Sequence, residues 1–337
     1  MSSEITLDTI IEAAQRIKVH KTPVLTNKTI SQLASLEEQP IDLFFKCELF
    51  QKTGSFKFRG ASNAIALLSH ETAASGVVTH SSGNHAQALA LAAKTKGTPA
   101  YIVMPRTAPT IKKAAVIGYG AQVIECEPTQ IAREEAAQKV VLEKGATLIH
   151  PFNDPNVIAG QGTIAVELLS QVKDLDALII PVGGGGMLTG CSIAAKSLCP
   201  SLRIFAAEPE AVNDCYRSFK NKHQETNEKA ISVADGLLTN LGDIAYSNIH
   251  QYVDDVFTVS EKQIINTMEL VWERMKLCIE PSAAVGVAVA IHNKEFKDTL
   301  KRLHIQRIGV ILCGGNVDVL QATALFEQYR YEEGKSA

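Results

Sequence analysis

Aromatic residues make up only 6% of the chain, with a single tryptophan, and neither sign of charge is in excess: 33 Lys and Arg stand against 36 Asp and Glu. A formal net charge of −3 leaves no electrostatic footprint for a phosphate backbone or an anionic membrane, so neither nucleic acid nor membrane is expected as a partner. No apolar stretch approaches the roughly 20 residues needed to span a bilayer. The start Met1-Ser-Ser-Glu-Ile lacks the basic, apolar and small-residue succession of a secretion signal, and a cytoplasmic protein is the expectation. The 7 cysteines are odd in number and scattered, with no Cys-x-x-Cys and no His pair at ligand spacing, which excludes a disulfide frame and a structural zinc site. Internal repeats and low-complexity tracts are absent as well. What is present is ordinary globular material, 337 residues at 46% hydrophobic and 20% charged, a length that divides into two domains and a composition that excludes disorder, collagen and coiled coil.

The commonest pattern is a β-branched run, then Gly, Ser or Asn, then a helix of small residues, which is βα alternation. Strands over 77–79, 100–104 and 121–125 precede helices over 84–96, 108–117 and 130–143, enough for a compact sheet of their own. A second set of strands covers 177–182, 203–207 and 307–312, with helices starting at Gly186 and spanning 317–328. Those continuous apolar runs predict strands buried on both faces of a parallel sheet. The apolar strand 41–47 needs partners from further along the chain. The prediction is therefore an α/β protein in which a discontinuous large domain (1–67 and 150–337) encloses a small α/β domain (68–149). Residues 218–231 form the most polar connection and are expected as an exposed loop.

In parallel sheets of this kind ligands sit at the carboxyl ends of strands, and the sequence places its unusual chemistry there. In Lys52-Thr-Gly-Ser-Phe-Lys57-Phe-Arg-Gly60, a turn at Gly54-Ser55 puts Lys57 at a helix start between two phenylalanines. Apolar rings and a helix N-terminus disfavour the ammonium and favour the neutral amine that attacks a carbonyl. Gly183-Gly184-Gly185-Gly186 lies between a buried strand and a helix, where backbone N–H groups can wrap an anion. A tight βα turn would use the same residues. The run matches neither the dinucleotide fingerprint nor the Gly-Lys-Ser/Thr phosphate loop, and a phosphate on a smaller cofactor fits better. Ser81-Ser82-Gly83-Asn84-His85 enters another helix, and its hydroxyls and N–H groups can hold a carboxylate or simply cap that helix. Cys313-Gly-Gly-Asn316 follows the last strand in the same way.

In this order and spacing these motifs resemble the fold-type II pyridoxal 5′-phosphate enzymes (tryptophan synthase β-like), and within them the serine racemase and serine/threonine dehydratase group. The resemblance covers nearly the whole chain, including Thr22-Pro-Val-Leu25, Ala159-Gly-Gln-Gly-Thr163 and Ile279-Glu-Pro-Ser282. It implies two domains with mostly parallel open sheets flanked by helices, assembly as a homodimer, and no regulatory domain after the catalytic core. It further implies that Lys57, with Phe56 beside it, holds the cofactor aldehyde, that Gly183 to Gly186 with Met187 hold the phosphate, and that Asn84 meets the phenolic oxygen. The ring nitrogen is implied to face Cys313, where many relatives have serine; a neutral thiol is a weak partner that leaves the ring largely unprotonated.

Activity follows from the same resemblance: interconversion of L- and D-serine, with elimination of L-serine to pyruvate and ammonia beside it. Inversion at Cα needs a proton donor on each face. Lys57 occupies one face and the resemblance places Ser82 on the other, where many threonine dehydratases have alanine. Ser81, Ser82, Gly83, Asn84 and His85 form the implied substrate loop. The alternative enzyme is an ammonia-lyase for threo-3-hydroxyaspartate or L-threonine, with Arg133 or a neighbour reading the second carboxylate; the non-enzyme alternative is a binding protein for pyridoxal phosphate or an amino acid on an inactive scaffold. Glu208, Asp214 and the Val212 carbonyl resemble the family's divalent cation site, whose oxygen ligands suit Mg2+, with Ca2+ or Mn2+ as substitutes. Lys52, Thr53, Lys112, Tyr119, Lys276 and Asn316 match positions that contact ATP as an allosteric activator, although Asn27-Lys28 replaces a pair of small hydroxyl residues nearby.

Overall fold

The computed structural model describes residues 4–108 and 110–333. Among the described residues ten strands form two sheets. In chain order they are β1 (Val24–Thr26), β2 (Asp42–Cys47), β3 (Val77–His80), β4 (Ala100–Pro105), β5 (Gln122–Cys126), β6 (Thr147–Leu148), β7 (Ala177–Pro181), β8 (Arg203–Pro209), β9 (Asp255–Val259) and β10 (Arg307–Leu312). The 6-stranded sheet has the order β1-β2-β10-β7-β8-β9 and the 4-stranded sheet the order β5-β4-β3-β6. Every pairing is parallel except β1 on β2. Because β10 pairs with β2 at one side and β7 at the other, both ends of the chain build the larger sheet, and the smaller one is threaded between them.

The continuous apolar strands lie where two-sided burial requires them: all five residues of β7 are buried, between the helix Gly186–Leu198 and the helix Pro155–Gln171 on one side and the helix Pro281–His292 on the other. That last helix is almost wholly Ala, Val, Gly and Ile, and 11 of its residues from Pro281 to Ile291 are buried.

The helix Lys57–Ala66 connects the two units. Its Phe58, Ala61, Ala64 and Ile65 join the apolar cluster of the smaller sheet. On its other side a Cβ on Gly160 would lie 2.6 Å from the Cα of Gly60, so this helix and the helix Pro155–Gln171 cross backbone to backbone. Arg59, fully buried two positions after Lys57, donates through Nε and Nη2 to both oxygens of Glu48 at 2.8 Å and also reaches Glu167. A buried, multiply bonded ion cluster of this kind fixes the helix against the larger sheet, and removing one partner would leave an uncompensated charge.

Three expectations are corrected. The polar connection 218–231 is not loop throughout: the helix Asp214–Asn221 takes its first residues, burying Cys215 and Ser218 while its Lys and Asn face water, and only 222–231 is free of helix and strand. The last helix runs Val319–Glu333, starting and ending later than 317–328. The helix expected over 108–117 is Thr110–Gly118, with residue 109 outside the described residues. Among the described residues no helix is long and apolar enough to cross a membrane.

Candidate active site

The carboxyl ends of β3, β7 and β10 open on one region, and the turn before Lys57 is stitched to it. Ser55 bridges Gly314, the Phe56 N–H donates to the Cys313 carbonyl at 3.0 Å, and Gly315 N–H donates to Gly54 carbonyl at 2.9 Å. Thr53 and Gly54 take left-handed φ of 60° and 73° to make the turn. Lys57 then begins its helix with Nζ 2.9 Å from the Pro151 carbonyl and 5.1 Å from the centre of the Phe56 ring. Burial lowers its pKa to about 8, against the opposing pull of Cys313 and Glu280. The neutral amine that attacks a carbonyl is thus far more accessible near neutral pH than in an ordinary lysine.

Opposite stands the glycine loop between β7 and the helix Gly186–Leu198. A Cβ on Gly184 would fall 2.3 Å from the Phe152 ring, one on Gly183 2.9 Å from the Leu237 backbone, and one on Gly185, at φ +83°, 2.4 Å from Ala245. The first bond of the helix runs from Thr189 N–H to Gly185 carbonyl at 2.9 Å, which leaves the N–H groups of Gly186, Met187 and Leu188 without helical partners. A cradle with no room for side chains and a cluster of free donors at a helix start suits a phosphate, so the residues present fit pyridoxal phosphate.

Cys313 is buried, and burial followed by the charge of Glu280 pushes its thiol well above the ordinary value, so it stays protonated. Glu280, within Ile279-Glu-Pro-Ser282, is a residue of this region that no local pattern singles out. It is 3% exposed, accepts from Asn84 Nδ2 at 3.0 and 3.2 Å and from Asn316 N–H at 3.1 Å, and is pushed up to about 7 by burial and by Asp235. Asn316 in turn donates to Asn84 Oδ1 at 2.8 Å. Asn84 therefore ties the smaller unit to the larger beside Lys57.

The loop Ser81-Ser82-Gly83, expected to receive substrate, lies in the bend between β3 and the helix Asn84–Lys96. Ser81 Oγ accepts from Gly83 N–H at 3.3 Å, Ser82 is half-buried, and a Cβ on Gly83 would meet nothing within 4 Å, so the loop faces open space. His85 is turned inward, with Nε2 3.3 Å from the Ile149 carbonyl and its pKa well below normal through burial. Arg133 lies beside His80 at the end of β3; its charge adds to the burial that lowers His80, and its own Nε is buried without a partner.

Glu208 accepts from the N–H groups of Cys215 (3.0 Å) and Tyr216 (2.9 Å), and Asp214 from Asn227 Nδ2 and Leu241 N–H, each at 2.7 Å. Burial first, and then the charge of Asp214, hold Glu208 well above the usual carboxylate range. Val212 is buried between them in the chain. Among the described residues no three His, Cys, Asp or Glu side chains converge on a metal-sized site; two buried carboxylates and a carbonyl suit a hard cation completed by water.

The six positions expected to contact a nucleotide are spread. Lys52 Nζ donates to the Lys18 carbonyl at 2.8 Å, Lys112 pairs with Asp235 at 3.1 Å, Lys276 Nζ donates to the Glu273 carbonyl at 2.6 Å, and Tyr119 packs on the core of the smaller sheet. Thr53 and Asn316 meet, the Thr53 carbonyl accepting from Asn316 Nδ2 at 2.7 Å. Sequence reasoning missed Pro151, Phe152 and Leu237 altogether. Pro151 and Phe152 follow a strand of two residues, Leu237 ends the single 3-10 turn Asp235–Leu237, and none carries a periodic signal.

The pattern of the family described as "Pyridoxal-phosphate dependent enzyme" matches residues 17–314. A serine racemase of Dictyostelium discoideum is 50% identical over 319 residues, covering 94% of this chain and 96% of its own. A beta-hydroxyaspartate dehydratase of Paracoccus denitrificans is 44% identical over 316 residues, covering 93% and 97%. The crystal structure of serine racemase from Dictyostelium discoideum superposes with a TM-score of 0.87 at 48% identity, over 94% of this chain and 99% of that one.

Proposed function

The chain belongs to the pyridoxal-phosphate dependent enzymes, and from that premise we propose that it interconverts L- and D-serine and, in a side reaction, converts L-serine to pyruvate and ammonia. The observation that carries the reading is Lys57: a half-buried lysine with its pKa lowered to about 8, at a helix start facing a glycine cradle built for a phosphate. When bound, pyridoxal phosphate supplies an electron-withdrawing ring to the Cα of the amino acid it holds. Gly183 to Gly186 with Met187 hold the phosphate, Phe56 shields Lys57 from water, and Asn84 orients the phenolic side. Cys313, a protonated thiol, meets the ring nitrogen without placing a charge there.

Lys57 Nζ moves the α-proton on one face of Cα and Ser82 Oγ on the other, while Ser81, Gly83 and the start of the helix Asn84–Lys96 receive the substrate carboxylate beside His85. A positioned acid or base of this kind is worth roughly 10²–10⁴ in rate. Glu208, Asp214 and the Val212 carbonyl hold Mg2+, and Lys52, Thr53, Lys112, Tyr119, Lys276 and Asn316 receive ATP at the contact between two copies of the chain in a cytoplasmic homodimer. The domain limits proposed are 1–67 with 150–337, and 68–149.

One observation favours a second reading. The buried, unpartnered Nε of Arg133 near the end of β3 suits a second carboxylate, as a 3-hydroxyaspartate ammonia-lyase would need. Incubation of the purified protein with L-serine, L-threonine and both 3-hydroxyaspartates, with D-enantiomer and keto acid quantified together, decides between them. D-serine in excess over products from the other substrates supports the first reading; keto acid from hydroxyaspartate with no D-serine overturns it.

A further inference from the structure

Residues 150–153 lie outside the motifs that identify the site, yet they join three of its parts. His150 Nδ1 accepts from the backbone N–H groups of Phe152 at 3.3 Å and Asn153 at 2.8 Å, so this nitrogen carries no proton and Nε2 does. The turn closed in this way presents the Pro151 carbonyl to Lys57 Nζ at 2.9 Å and lays the Phe152 ring against Gly184. It also sets Asn153 Oδ1 to accept from Ile244 N–H at 3.1 Å, in the first turn of the helix Asp243–Tyr252 whose Ala245 walls Gly185.

We propose that His150 is a positioning residue: by accepting two N–H groups on Nδ1 it shapes the turn that seats the Lys57 amine and closes the phosphate cradle. The assignment rests on Lys57 as the cofactor-bearing lysine. Burial, with His80 and Lys57 nearby and only Glu134 opposing, lowers the His150 pKa to about 4, so the ring is neutral and both N–H groups keep their acceptor at physiological pH. An imidazolium has no lone pair to accept either. Without an acceptor at that point the two N–H groups lose their partners and the turn relaxes, carrying Pro151 and Phe152 with it.

Side chains that carry an oxygen at one place or the other separate this role from mere bulk. Asparagine at position 150 puts Oδ1 where Nδ1 sits and closes the same turn locally; glutamine carries its oxygen out toward the Nε2 position; alanine has none. The apo forms of the parent, His150→Asn, His150→Gln and His150→Ala are titrated with pyridoxal phosphate, following affinity and uptake rate by absorbance, with circular dichroism and melting of each apo form as the fold control. We expect the Asn variant within about threefold of the parent and the Gln and Ala variants slower in uptake by on the order of 10²-fold, the cost of displacing a reacting group by about 1 Å. Asn and Gln variants that behave alike, or Gln surpassing Asn, overturn the proposal. Should the alanine variant not fold, the Asn and Gln pair carries the comparison. Borohydride fixation with peptide mapping keeps the two readings apart. Cofactor fixed on another lysine overturns the Lys57 assignment, and cofactor fixed on Lys57 with Asn and Gln alike overturns the role of His150 alone.

Discussion

Asn84 donates its side-chain amide to both oxygens of Glu280, at 3.0 and 3.2 Å, and so joins the start of the helix Asn84–Lys96 to the start of the helix Pro281–His292, almost all of it buried. The Glu280 carboxyl stands in that position with its pKa pushed up from 4.5 to about 7.

A carboxyl whose folded-state pKa is raised binds its proton more tightly in the folded than in the unfolded chain. Its stabilising contribution is complete below pH 4.5 and is lost as pH rises through about 7. The apo protein should therefore lose melting temperature relative to Glu280→Gln between about pH 5 and 8, by a few degrees and at most about 3 kcal/mol. Melting profiles of the two proteins that stay parallel across this range would contradict the burial of a titrating acid here.

The glycines divide into two kinds. Gly184→Ala drives a methyl into the Phe152 ring, at 2.3 Å, and should cost about 1–3 kcal/mol of stability together with weaker phosphate binding. Gly83→Ala meets nothing within 4 Å and its φ of −115° is not left-handed, but its ψ of −141° lies outside the extended and helical regions, so its melting temperature should fall by less than that of Gly184→Ala. Its methyl occupies the space given to substrate, so kcat/KM should fall. Thermal melts and steady-state kinetics on the two variants check both statements; a Gly83→Ala enzyme with unchanged kcat/KM would mean that the space in front of the loop is not used.

If Glu208 and Asp214 hold a cation, chelation should lower the melting temperature and millimolar Mg2+ should restore it, since a ligand bound only by the folded state stabilises by mass action. In Glu208→Gln that response should disappear. Equal melting temperatures of the parent with chelator and with Mg2+ would remove the cation from the account.

What was legible in the sequence was local. β7 and β10 stood out because strands buried on both faces must be continuously apolar, and Lys57, the glycine run and Cys313 were found because each lies where a strand or turn meets a helix. β1, β6 and β9 are edge strands of three, two and five residues with little to distinguish them, and they escaped notice. The helix over Ser218 was hidden by its solvent face, because Lys220 and Asn221 read as loop while the apolar side rests on one or two residues per turn. The partners of Lys57 were not legible at all. Pro151 and Glu280 reach it from 94 and more than 200 residues away, through a sheet order that places the second strand beside the last. Contacts of that range follow from topology and leave no mark on local pattern.

The pairing of Lys57 with Ser82 is tested most directly by Ser82→Ala, assayed on L-serine with D-serine and pyruvate measured in one reaction. One group cannot take a proton from one face of Cα and return it to the other. Racemisation should fall by roughly 10²–10⁴ while elimination, which needs Lys57 alone for the α-proton, persists. A variant that still forms D-serine at near the parent rate would contradict the assignment of Ser82 as the second proton donor.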